Sequence, residues 1–201
     1  MSNKKEENKQ IFDKVAEIYD FAPFQWWMRR FYRPVFSEVE LDKSKKLLDV
    51  SCGTGNMLKE MSEAGEADLY GVDLSENMIE QAKEKLKDVD LQTADVHSLP
   101  FENDFFDYVT TTEAFHHYYG QSKAIAEMKR VVKPGGKVIV VDIEFFFSVV
   151  HRLFEQLEPG CVKVNSKEEM RQLFKQQNLD VVRQERSFLF AVMTIGSFSE
   201  N

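Results

Sequence analysis

The sequence is short of the features that mark most specialised architectures. Of its 201 residues only 2 are cysteine, Cys52 and Cys161, which leaves no disulfide framework and no repeated zinc-ligand spacing. No His-Cys-Asp pattern has the spacing of a metal site, so no metal is expected. No apolar run approaches the roughly 20 residues of a membrane-spanning helix. The stretch Met1 to Gln10 is polar and charged, unlike a secretory leader. A soluble protein in a reducing cytoplasm is the expectation. Clustered basic residues are missing as well: 26 Lys and Arg stand against 34 Asp and Glu, a formal charge of −8. Nucleic acid is held mainly through grouped Lys and Arg, so it is not an expected partner. There is no internal repeat or low-complexity segment, and the length suits one domain with a sizeable core.

What is present centres on one stretch. Leu47-Leu48-Asp49-Val50 reads as a buried strand, and Ser51-Cys52-Gly53-Thr54-Gly55-Asn56 follows as a glycine-spaced turn leading into a helix. Such a turn lets main chain approach a ligand closely. A second apolar segment, Leu69-Tyr70-Gly71-Val72, ends in Asp73, 18 positions after Gly55. A strand-helix-strand unit of that size returns the chain to the same sheet edge, so the acid faces the ligand. A third acid, Asp95, follows Leu91-Gln92-Thr93-Ala94, and Phe106-Asp107-Tyr108-Val109 and Lys133-Pro134-Gly135-Gly136 come later.

Together, LLDVSCGTGNM, LYGVDLSENMIEQAKEK, ADVHSLPFENDFFDYVTTTEAFHHY and MKRVVKPGGKVIVVD resemble the class I S-adenosylmethionine-dependent methyltransferases, in their small-molecule, UbiE-like (methyltransferase type 11) branch. The resemblance implies an α/β, Rossmann-like fold. Its doubly wound, mostly parallel seven-stranded sheet would have the order 3-2-1-4-5-7-6, with an antiparallel last strand and helices on both faces. It also implies S-adenosylmethionine as cofactor, S-adenosylhomocysteine as product and a small-molecule methyl acceptor. By the same resemblance Ser51, Gly53 and Gly55 would hold the methionine part, and Tyr19 would lie near its carboxylate. Asp73 would chelate both ribose hydroxyls, Leu74 would pack on the adenine, and Asp95 with the backbone of Val96 would read the adenine edge. Asp49 and Thr111, in the first and fourth strands, are counted with this site. The family usually has glycine where Ser51 stands.

The rest of the chain reads as one domain in three parts. Residues 1–40 form an N-terminal helical cap or lid, 46–142 the cofactor-binding core, and 143–201 C-terminal helices and antiparallel strands. Ser2 to Gln10 reads as a polar lead-in before a helix carrying Ile11, Val15, Ile18 and Tyr19. An aromatic segment from Phe24 to Glu40 is bent by Pro34, and Trp26 and Trp27 there serve either as lid or as plain packing. In the core, helices are expected at Asn56–Ala64, after an N-cap at Ser75, and at Ser122–Val132, with strands at Asp107–Thr111 and Lys137–Val141. Phe146, Val149, Val150, Leu153, Phe154 and Leu157 recur with helical period and predict an amphipathic helix with Phe146 in the core. Ser166 and Glu169 form a capping-box signature. Leu179–Arg186 and Phe188–Ile195 are joined too closely for a parallel crossover.

Methyl transfer displaces a neutral thioether in one in-line step, so positioning supplies much of the catalysis. Candidates for acceptor chemistry follow the fourth and fifth strands: Thr111, Glu113, His116, His117, Tyr118 and Tyr119, then Asp142, Glu144 and Phe145 to Phe147. His116 and His117 are the candidate catalytic bases, since imidazole titrates near neutrality. Glu113 reads as a loop charge. Two rivals share the motifs. A nicotinamide-dependent dehydrogenase would want Gly or Ala where Leu58 stands, and a cofactor-binding module without catalysis would look the same.

Overall fold

The structure, a computed structural model, describes residues 2–199, apart from the side chains of Ser2, Asn3, Glu17, Ile18, Ala22 and Phe24. The expectation for the Ile18 side chain therefore lies outside the described residues. Seven strands form one sheet: β1 (Lys46–Val50), β2 (Asp68–Asp73), β3 (Asp90–Thr93), β4 (Phe106–Thr112), β5 (Val132–Ile143), β6 (Asp180–Phe188) and β7 (Ala191–Ser197). Their order is β3-β2-β1-β4-β5-β7-β6. The first five neighbours pair parallel, and β7 runs antiparallel between β5 and β6. This is the expected doubly wound fold. The reversal of strand order between β1 and β4 opens a crevice at their carboxyl ends, where open α/β sheets hold ligands.

Local chemistry sets the element boundaries. The helix α1 spans Ser2–Tyr19, α2 Ala22–Tyr32, α3 Asn56–Ala64, α4 Glu76–Lys85, α5 Gln121–Val131, α6 Ser148–Leu157 and α7 Lys167–Gln176. Pro23 lies in the first turn of α2, and Pro34 opens a 3-10 turn, Arg33–Ser37, that ends the aromatic segment. Ser75 caps α4 by accepting from the Met78 N–H, and Ser166 with Glu169 closes a complete capping box on α7. Two apolar clusters fill the two faces of the sheet, one around Leu47, Leu58 and Met193, the other around Leu48, Phe106 and Phe174. β7 is buried along nearly its whole length, as its two-sided apolar pattern requires.

Three local expectations are corrected. Residues 2–10 are helical rather than a lead-in, because tertiary contacts hold a sequence of low apolar content: Lys5 pairs with Asp95 and Asn8 donates to the His117 carbonyl. β5 starts at Val132, so the Pro134-Gly135-Gly136 stretch lies within its span, where the register with β4 shifts. α6 forms with its apolar stripe turned outward. Val149, Leu153 and Leu157 are more than half exposed, and its buried residue is His151. Phe146 precedes that helix and is 62% exposed rather than core.

Candidate active site

A cleft opens at the carboxyl ends of β1, β2 and β4, walled on the far side by α1. Of the residues expected there, Tyr19, Ser51, Gly53, Asp73, Leu74, Asp95, Val96 and His117 line it. Asp49, Gly55, Thr111 and His116 do not. The period-two alternation of a strand explains Asp49: it shares the face of Leu47, whereas Val50 on the other face reaches the cleft. Thr110 donates to its carboxylate at 3.2 Å, yet burial and the nearby Asp73 charge still push Asp49 up to about 8. β4 runs one residue past the expected end, so Thr112 and Glu113 reach the cleft while Thr111 stays buried beneath, bonded to the Tyr118 hydroxyl at 2.8 Å. Gly55 faces α4, where an added Cβ would sit 2.7 Å from Leu86 Cδ1. Trp26 is exposed beneath the Arg30 guanidinium, and Trp27 packs on Phe31 and Phe188. Neither tryptophan lines the cleft.

The turn after β1 has left-handed backbone at Ser51 (φ 61°), Gly53 (φ 55°) and Gly55 (φ 78°). Glycine adopts that conformation without penalty. Serine costs on the order of 1–2 kcal/mol there, and a hydrogen bond offsets part of it: Ser51 Oγ lies 2.9 Å from the Tyr118 hydroxyl. At Gly53 a side chain would crowd the Tyr19 ring, 3.3 Å from the position of an added Cβ. The Gly53 N–H instead donates to Asp73 Oδ2 at 2.9 Å, and the Ser75 N–H donates to Asp73 Oδ1 at the same distance. Each carboxylate oxygen keeps a lone pair for a ligand. Burial raises Asp73 to about 6 against these main-chain bonds.

Asp95 is the opposite case. Its Oδ1 accepts from the His97 N–H (2.9 Å) and lies 2.6 Å from His97 Nδ1, while Oδ2 accepts from the Tyr119 hydroxyl (2.6 Å) and pairs with Lys5 Nζ (2.7 Å). Burial raises its pKa, but these donors outweigh it and hold the group well below the usual carboxylate range. Nε2 of His97 is buried with no partner among the described residues and lies toward Gly120, where an added Cβ would sit 3.0 Å from it. The left-handed turn at Gly53 and the available lone pairs on Asp73 fit a nucleoside-bearing cofactor laid across the strand ends.

The end of the cleft beyond β4 holds Glu113, Ala114, His117 and Tyr118. His117 packs edge-on against Phe12, 5.0 Å between ring centroids. Burial, reinforced by the charge of His116, pushes it down to about 3, so it is neutral and weakly basic. His116 turns away from the cleft to Asp142 on β5, Nδ1 to Oδ1 2.7 Å. Burial opposes its charge, yet Asp142 raises its pKa. Tyr118, expected only as a candidate for acceptor chemistry, also ties the β1 turn to β4 through its hydroxyl. Among the described residues no helix is long and apolar enough to cross a membrane, and no group of three or more His, Cys, Asp or Glu is placed to hold a metal.

Comparison with known proteins agrees with this geometry. A methyltransferase domain model matches residues 48–140. A demethylmenaquinone methyltransferase of Staphylococcus aureus is 30% identical over 214 residues, covering 89% of this chain and 87% of that protein. Two solved structures share the fold. One is a chain in the complex between the Haloferax volcanii Trm112 methyltransferase activator and a methyltransferase (TM-score 0.81, 19% identity, 94% of this chain and 98% of that one). The other is a SAM-dependent methyltransferase from Aquifex aeolicus (TM-score 0.72, 21% identity, 92% and 97%). With the relative aligned over nearly its whole length and the strand order that the motifs imply, the chain belongs to the methyltransferase domain family and is an S-adenosylmethionine-dependent methyltransferase.

Proposed function

We propose that the protein methylates a small, partly apolar molecule bearing a hydroxylated aromatic ring, held between α1 and the segment after β4. The observation that carries this reading is the joining of two unlike ends in one cleft. A polar end at Asp73 and Asp95 suits a nucleoside, and the other end combines Phe12, Ala114 and Tyr118 with the Glu113 carboxylate. The cofactor supplies an electrophilic methyl group on a sulfonium. Ser51 and the Gly53 turn would seat its amino-acid part, Asp73 its ribose hydroxyls, Leu74 and Val96 its base, and Asp95 the exocyclic amine. Tyr19 borders the turn at Gly53 and would close over the same part from α1. The acceptor class draws on the Staphylococcus relative, which is named as a methyltransferase of demethylmenaquinone.

The acidic chain, −8 in formal charge, supports a small-molecule acceptor over nucleic acid. A cytoplasmic location fits the same reading. So does a single domain, in which residues 1–40 act as the cap through α1 rather than through the tryptophans. The test is transfer of labelled methyl from S-adenosylmethionine to reduced 1,4-naphthoquinones lacking the ring methyl, run beside an unbiased metabolite extract. Label appearing only on protein or RNA would overturn the small-molecule assignment.

A further inference from the structure

Glu113 has the placement of a reacting group, although its sequence context is that of an ordinary loop charge. It is the first residue beyond β4, held in left-handed backbone (φ 50°) while its N–H donates to the Val141 carbonyl of β5 at 2.8 Å. That bond fixes the residue at the rim between two strands, and the side chain borders the cleft beside Thr112 and Ala114. No side-chain hydrogen bond reaches its carboxylate from the described residues, unlike Asp73 and Asp95 in the same cleft. Directly behind it stands the buried His116–Asp142 pair.

We propose that Glu113 is the general base of the reaction, taking the hydroxyl proton of the acceptor as the acceptor attacks. The inference rests on the methyl-transfer reading and names the group that reading leaves open. In the step, the acceptor O–H bond breaks and its proton goes to a Glu113 oxygen. The acceptor's oxygen forms the new bond to the methyl carbon; where the conjugated ring carbon forms it instead, that carbon afterwards loses its hydrogen as a proton to solvent and the oxygen takes one up, which restores the aromatic ring. The carbon–sulfur electron pair stays with sulfur as a neutral thioether, and the proton leaves to solvent when the product departs. Burial raises Glu113 to about 8 against the pull of His116, with the Asp142 and Glu158 charges adding to the rise. A base matched to the working pH is the effective kind. Of the other titratable side chains at this end, His117 is far too weak a base, and burial holds the Tyr118 hydroxyl in its protonated form.

The test uses the full chain with labelled S-adenosylmethionine and two reduced 1,4-naphthoquinone probes. One has an ordinary hydroxyl, and the other carries a nitro group that ionises the hydroxyl at the assay pH. Glu113→Gln is expected to slow transfer to the first probe by roughly 100-fold or more and to leave the pre-ionised probe within about 3-fold of wild type. Glu113→Asp, which keeps a carboxylate, should restore part of the lost rate. Calorimetry with S-adenosylhomocysteine checks that both variants still fold and bind. Equal loss on both probes, or no loss on the first, would overturn the base while leaving the methyltransferase reading intact. Wild-type protein that transfers label to neither probe would overturn the acceptor class and the base together.

Discussion

Two carboxylates in one cleft, Asp95 and Glu113, carry the same chemical group in opposite surroundings. Asp95 is surrounded by donors from His97, Tyr119 and Lys5 and is held as an anion. Glu113, half-buried near Asp142 and Glu158, is held close to its protonated form at neutrality. Hydrogen bonds to the charged form lower a carboxyl pKa, and desolvation with like charge raises it. One end of the cleft is thus set for recognition by fixed charge, and the other for moving a proton. Asp73 lies between, with two main-chain donors and a pKa of about 6.

Removing the middle acid should have the largest effect. On the proposed seating of the cofactor, Asp73→Ala deletes two charge-assisted ribose bonds, a loss of about 3 kcal/mol or more and hence roughly 150-fold in affinity. Calorimetry with S-adenosylhomocysteine at pH 8 checks it, and unchanged affinity would remove Asp73 from the site. Next comes the pH dependence of stability. Asp49 and Glu113 are both raised to about 8, so the folded state binds more protons than the unfolded chain from roughly pH 4.5 to 8. Stability should therefore fall as pH rises through that window, by roughly 2 to 3 kcal/mol per unit for the two groups together. Asp95 acts with the opposite sign, since its depressed pKa contributes stability that is lost as pH drops below about 4. Urea denaturation at pH 5.5 and 7.5 measures the slope, and Glu113→Gln should cut it by about half, Asp49 keeping the rest. A slope unchanged in that variant would erase the contrast between the two ends.

A smaller effect concerns the turn. Ser51→Ala keeps the left-handed strain and loses the bond to Tyr118, so it should destabilise by about 1 kcal/mol. Ser51→Gly also loses the bond but relieves the strain, and thermal unfolding should place it near wild type. The smallest effect belongs to Lys5, whose ammonium occupies the Asp95 oxygen that an adenine amine would use. Lys5→Ala should tighten cofactor binding by about threefold, the scale of an exposed ion pair, and the difference should shrink in high salt.

The sheet was legible because its signals are local. Capping residues such as Ser75 and Ser166, and the spacing from Gly55 to Asp73, are geometric constraints written in consecutive residues. Much of the cleft was legible too, since the turn and Asp73 are fixed by strand ends. What escaped depends on distant partners. Glu113 looks like any loop acid until its place at the cleft near Asp142 is seen, and His116 looks like a base until it is found buried against Asp142 and outside the cleft. Asp49 reads as strand-ending, but it lies one residue inside β1 and faces away. The start of α1 has too few apolar residues to announce a helix, and α6 has a periodicity that its surroundings do not use.

The manner in which α1 is fastened sets how this wall of the cleft responds to salt. Lys5 to Asp95, Asn8 to His117, Asp13 to Ser75 and Asn77, and Asp20 to Thr54, Asn56 and Lys85 are all polar ties, each to a segment that borders the cleft or adjoins one that does. Exposed ion pairs weaken with ionic strength, whereas apolar packing does not. Of these ties only Lys5 to Asp95 and Asp20 to Lys85 are ion pairs, so they are the part of the attachment that salt loosens, while the buried Ala16 and the Phe12 ring against His117 hold at any ionic strength.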